Sequence, residues 1–83
     1  MNNKYFSIIT FYQFKIVKNK KGIITKLKDY CKFNKIKGTI LIADEGINGT
    51  IAGLEKNINS FIVFLENFKL NNLNLKKSKY RYM

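Results

Sequence analysis

Two stretches of this 83-residue chain carry side chains and backbone suited to chemistry. The first is Gly38 to Gly53, GTILIADEGINGTIAG, which holds four of the five glycines, two of the five acids and no lysine. Within it, Glu45, Gly46, Asn48, Gly49 and Thr50 are candidate anion- or RNA-binding residues. Their consecutive amides, joined by the side-chain donors of Asn48 and Thr50, are expected to form a concavity that accepts an anion. A plainer reading makes the stretch a hairpin shaped by glycine. Gly46 then takes a positive φ after Asp44-Glu45, Gly49 marks a bulge or close backbone approach, and Gly53 leaves the strand. Neither Gly-x-Gly-x-x-Gly nor a P-loop lysine is present, so this is not a nucleotide-binding loop.

The second stretch is the C-terminal run. Lys76, Lys77, Lys79 and Arg81 interleave with Tyr80 and Tyr82, a pattern suited to phosphate contacts and base stacking. The competing reading is a solvated chain end.

Catalytic candidates are scarce. The chain has no histidine and one cysteine, Cys31, so histidine acid–base catalysis, a structural zinc site and an internal disulfide are excluded. Cys31 lies on an apolar helical stripe and has no base to activate it, so it reads as a small core residue. No catalytic residue and no metal ligand are assigned.

The formal net charge of +11 and pI near 9.9 mark a protein that meets phosphates. Lysine, asparagine and isoleucine all have A/T-rich codons, which could inflate the lysines. Glutamate shares that codon bias and is not enriched. A composition 46% hydrophobic excludes disorder. No apolar run reaches the ~20 residues of a membrane span, and the N-terminus lacks a cleavage pattern. A single domain over residues 1–83, in the cytoplasm and without a membrane, is expected.

These stretches must be positioned by regular elements. Tyr5 to Ile16 is β-branched and aromatic without glycine or proline, and apolar residues fall on both faces, which predicts a central strand. Lys18 to Lys21 with Gly22 predicts a turn. Ile23, Ile24, Leu27, Tyr30 and Cys31 recur at helical spacing up to about Lys35. Thr39 to Ala43 predicts a strand buried on both faces, and Ile47 to Ala52 a returning strand, with this hairpin at the centre of the sheet. Ile58, Phe61, Ile62, Leu65 and Phe68 share one face of a second helix, which starts at Leu54 without a capping side chain. Asn72 to Met83 begins with the alternation Leu73, Leu75. The order strand–helix–strand–strand–helix–strand predicts an α+β fold, the ferredoxin-like βαββαβ sandwich with four antiparallel strands and both helices on one face.

The stretch GTILIADEGINGTIAG closely resembles the segment GTILLAPEGINGTIAG of the rhodanese-related tRNA uridine hydroxylases. FYQFKIV is similar to that family's early strand, Cys31 precedes Ile36-Lys37-Gly38-Thr39 as a cysteine often does there, and LNLKKS (73 to 78) is similar to the strand after the second helix. The likeness runs over about residues 5 to 78. Asp44 replaces a proline, which is expected to loosen the turn, and Leu54 stands where a capping serine is common.

The resemblance implies an acylphosphatase-like N-terminal domain that positions tRNA. In the family it is followed by a rhodanese domain whose cysteine is required to hydroxylate the wobble uridine with molecular oxygen. The chain ends at KYRYM, before any rhodanese sequence, so it looks like the front third of such an enzyme, and Cys31 is not the catalytic cysteine. No cofactor is expected in this chain, and its enzymatic status is left open. The expected partners are tRNA and a rhodanese domain in cis or in trans. A non-catalytic structural or interaction module, or a gene remnant, that pairs with a separately encoded rhodanese half is the alternative. An acylphosphatase-type hydrolase would want an arginine in an N-terminal phosphate loop, and the only arginine is Arg81.

Overall fold

The computed structural model describes residues 5–70 and 72–81. The elements run β1 (Tyr5–Phe14), α1 (Lys20–Phe33), β2 (Lys37–Ala43), β3 (Gly46–Leu54), α2 (Glu55–Leu65), a short 3-10 turn (Glu66–Phe68) and β4 (Asn74–Arg81). The four strands form one antiparallel sheet in the order β2-β3-β1-β4. This is the ferredoxin-like α+β arrangement expected from the sequence.

Period-two alternation divides the strand residues between two faces. On β1, Ser7, Ile9, Phe11 and Gln13 are buried. Their partners in register across β3 include Ile51, Gly49 and Ile47. Leu27 of α1 and Ile58, Phe61 and Leu65 of α2 complete the same core, so both helices cover one face. Phe11 and Phe61 meet with ring centroids 6.1 Å apart. Full burial of side chains this large stabilises the fold by roughly 1.5–3 kcal/mol each.

Both helical segments stop on a left-handed lysine. Lys35 (φ 56°) follows α1, and the Ile36 amide donates to the Cys31 carbonyl at 2.8 Å. Lys69 (φ 61°) follows the 3-10 turn, and the Leu70 amide donates to Leu65 at 3.2 Å. These closures satisfy the last carbonyls, with lysine holding a position that glycine usually takes.

Several expectations need correction. β1 ends at Phe14 rather than Ile16, and α1 starts at Lys20, within the segment expected as a turn. β2 is an edge strand with no fully buried residue, so only β3 of the hairpin is central. Gly53 lies inside β3 and does not leave the strand; Leu54 caps α2 with no side-chain hydrogen bond, as expected. Gly46 does not take a positive φ; Gly38 does, at 139°. A Cβ at Gly38 would run into the Thr50 carbonyl, and one at Gly46 into the Gln13 carbonyl. Close strand approach is what requires glycine at 46. Gly49 is likewise a close approach without a bulge, because pairing continues in register on both sides.

The Asp44–Glu45 turn keeps negative φ at both residues and is braced from outside. Lys15 and Val17 amides donate to the Glu45 and Asp44 carbonyls at 2.9 and 3.0 Å. The Asp44 carboxylate pairs with Lys20. Where a looser turn was expected, the aspartate ties the hairpin to the start of α1.

Candidate nucleic-acid interface

Among the described residues no helix covers the second face of the sheet, and strand register sets its residues in rows. Thr39, Thr50, Thr10 and Lys76 lie side by side across the four strands. Next to them run Leu41, Asn48, Tyr12 and Asn74, then Ala43, Gly46 and Phe14. Phe14 is 82% exposed and Tyr12 44%. Their rings meet edge to face at 5.6 Å.

Beside Phe14 lies a hollow of about 460 Å³ lined by Tyr12, Phe14, Ala43, Glu45, Gly46 and Asn48 among others. That volume falls within the ~300–1,000 Å³ typical of small-ligand clefts. The exposed Asn48 amide supplies both donor and acceptor. Thr10 and Thr50 hydroxyls lie 3.3 Å apart and share a hydrogen bond.

The structure thus gathers Glu45, Gly46 and Asn48 at one hollow and places Thr50 one row away. It does not place Gly49 there; that residue faces the core, where a Cβ would come within 2.9 Å of the Phe11 ring. The backbone amides of 46 to 50 sit in ladders with β1 and β2, so the anion-accepting amide concavity is not formed. Side chains and rings line the hollow instead.

The basic run is divided by the same alternation. Lys76 is exposed on the open face, paired with no carboxylate among the described residues. Lys77 and Lys79 lie on the helix side. There Glu55 holds Lys79 at 3.2 Å and Lys77 at 3.8 Å, and Asn59 accepts a hydrogen bond from Lys77 at 3.1 Å. Lys79 also sits 4.7 Å from the Tyr5 ring centroid. The Arg81 backbone pairs with Tyr5 in register. Tyr82 lies outside the described residues.

Tyr12, Phe14 and Thr10 were not singled out in the sequence. The available signal was strand alternation in YFSIITFYQF, where one of the two residue sets must face away from the core.

Burial pushes the Cys31 thiol up from near 9 to about 11, which leaves it protonated and a poor nucleophile at neutral pH. Among the described residues, no group of three or more His, Cys, Asp or Glu side chains could hold a metal, and no helix is long and apolar enough to cross a membrane.

Residues 6–82 match the UPF0176 acylphosphatase like domain. The chain is 43% identical over 72 residues to the tRNA uridine(34) hydroxylase of Ehrlichia ruminantium (strain Welgevonden), covering 86% of this chain and 26% of that protein. It is 40% identical over 78 residues to the enzyme of that name from Wolbachia sp. subsp. Brugia malayi (strain TRS), covering 93% and 29%. For the tRNA uridine(34) hydroxylase of Prochlorococcus marinus (strain NATL1A) the identity is 41% over 76 residues, covering 88% and 24%. The chain spans about a quarter of the length of these relatives, at their N-terminal part. With a domain match along nearly its whole length and the ferredoxin-like sheet that such a domain requires, this chain belongs to the UPF0176 acylphosphatase-like domain family.

Proposed function

We propose that this chain is a tRNA-positioning domain for an oxygen-dependent tRNA uridine hydroxylase, acting on the uridine at position 34. Its relatives carry the name of that activity, and its match falls at their N-terminal part. The observation that carries a binding role is the charge: +11 formally, with Asp44 and Glu55 already occupied by lysines. Such a surplus attracts a polyanion, and tRNA is the polyanion of the relatives' reaction. In this reading the oxygen chemistry belongs to a rhodanese-type domain joined in cis or supplied in trans. The chain itself takes no cofactor and works in the cytoplasm.

Binding of bulk tRNA by the purified chain across a salt series, with an unrelated RNA duplex as competitor, tests the reading. Preference for tRNA at fixed salt supports it. A steep salt slope with no preference overturns it, because charge alone then accounts for the binding.

A second reading, an interaction module for a separate rhodanese half, is favoured by the helix layer. Tyr30 and Phe64 stack at 4.2 Å beside a depression of about 580 Å³, next to Phe33, which is 87% exposed. Co-purification with a rhodanese half, lost on Phe33→Asp, would favour it over autonomous RNA binding.

A further inference from the structure

We propose that the open face of the sheet takes an unpaired RNA base, stacked on Phe14 beside Tyr12 with its edge against Asn48, while the RNA backbone crosses the threonine row toward Lys76. This rests on the tRNA-binding reading above and assigns it a surface and a class of RNA.

The observations converge on one end of one face. Phe14 and Tyr12 hold their rings outward on β1, a central strand, where they contribute little burial to the fold. A hollow of about 460 Å³ lies beside them, with Gly46 in its lining. Every base offers a π-face to such rings, so stacking tolerates any sequence. Selectivity would come from the edge. Asn48 presents a donor and an acceptor together, and Glu45 at the rim accepts an N–H but repels phosphate. The hollow therefore suits a base and not the backbone.

The backbone has its own path. Four residues along β1 from Phe14, a distance of ~14 Å, the row Thr39–Thr50–Thr10 ends at Lys76 on the far strand. Threonine hydroxyls can bond to 2′-hydroxyls or phosphates, and Lys76 is free to neutralise one phosphate. Lys37 marks the opposite border, one row further on, and is also exposed.

Charge selects this occupant over a second copy of the chain. Two copies would each bring +11 to the contact, and the face offers no carboxylate cluster to offset it. Base-paired RNA is excluded by shape, since its bases are stacked on each other and present no free π-face to Phe14.

Fluorescence anisotropy with a labelled anticodon stem-loop RNA and a fully paired RNA of equal length tests the proposal. The stem-loop should bind more tightly. Phe14→Ala should weaken it about tenfold, with no change for the paired RNA, and Phe14→Leu should not rescue because it restores apolar area without a ring. Asn48→Ala should weaken stem-loop binding at unchanged salt slope, whereas Lys76→Ala should lower the slope by roughly 0.7–0.9. Circular dichroism confirms folding, which truncating an 82%-exposed ring leaves intact. If both RNAs bind equally and Phe14→Ala changes neither, the open-face assignment is overturned, and the competition with bulk tRNA decides the tRNA reading separately. If neither RNA binds, the tRNA reading falls and this inference falls with it.

Discussion

The two faces of the sheet are built from alternate residues of the same strands, yet they have opposite character. On the helix side, Ile9, Phe11, Ile47 and Ile51 are at most 2% exposed and meet apolar residues of both helices. On the open side, Thr10, Tyr12, Asn48 and Thr50 are exposed and present hydroxyls, an amide and a ring. Stability therefore depends mainly on one face, and the other can change its chemistry at little cost to folding. The separation is not complete at β4, where the helix side carries Lys77 and Lys79 held by Glu55.

Substitutions on either side can break or sharpen this contrast. The largest effect is expected from Phe11→Ala, which should cost about 3–5 kcal/mol in urea denaturation. A domain of this size has little more than that to lose. Next is Cys31, on the covered side. With its thiol pushed from near 9 to about 11, the folded protein should react with a disulfide reagent at pH 8 roughly tenfold more slowly than the denatured chain, because the smaller thiolate fraction is partly offset by the greater nucleophilicity of a more basic thiolate. The sign for stability follows. A raised thiol pKa favours the folded state below pH 9, and that contribution is lost as pH rises toward 11. Equal reaction rates would show an open thiol.

Gly49→Ala, which pushes a methyl to 2.7 Å from the Thr39 carbonyl and 2.9 Å from Phe11, should cost about 1–3 kcal/mol. Thr10→Val with Thr50→Val, on the open face, should shift thermal stability by less than about 0.5 kcal/mol. The smallest effect sharpens the contrast from inside. The Ser7 hydroxyl is fully buried and has no hydrogen-bond partner among the described residues. Ser7→Ala should leave stability unchanged or raise it slightly, because no bond is lost with the hydroxyl. A clear loss would reveal a partner.

The strand–helix order and both helical stripes were legible because periods of two and 3.6 are written in consecutive residues. Much of the site was not. In β1 both alternating sets are apolar, so periodicity could not say whether Phe11 or Phe14 faces the core. The answer depends on which set meets Phe61. Gly46 and Gly49 were recognisable as positions needing glycine, but the reason is a neighbouring strand's carbonyl, which no local pattern contains. Lys77 and Lys79 looked available for phosphates because their tie to Glu55 crosses from β4 to α2. The run TILIA reads as doubly buried by composition, yet topology puts it at an edge, where no neighbour covers its outer side.

That edge has a consequence for how the protein behaves in a tube. An edge strand with unpaired backbone groups invites another strand to join it, and natural sheets discourage this with charge. β4 carries Lys76, Lys77 and Lys79 along its length, whereas β2 has no charged residue between Lys37 and Asp44. At low ionic strength the surplus of positive charge keeps copies apart. At about 0.1 M salt the repulsion is screened beyond ~10 Å, and β2 becomes the place where self-association starts. The salt that strips away non-specific RNA is thus the salt that exposes a colloidal weakness, and light scattering should rise with it unless a lysine is introduced at Leu41.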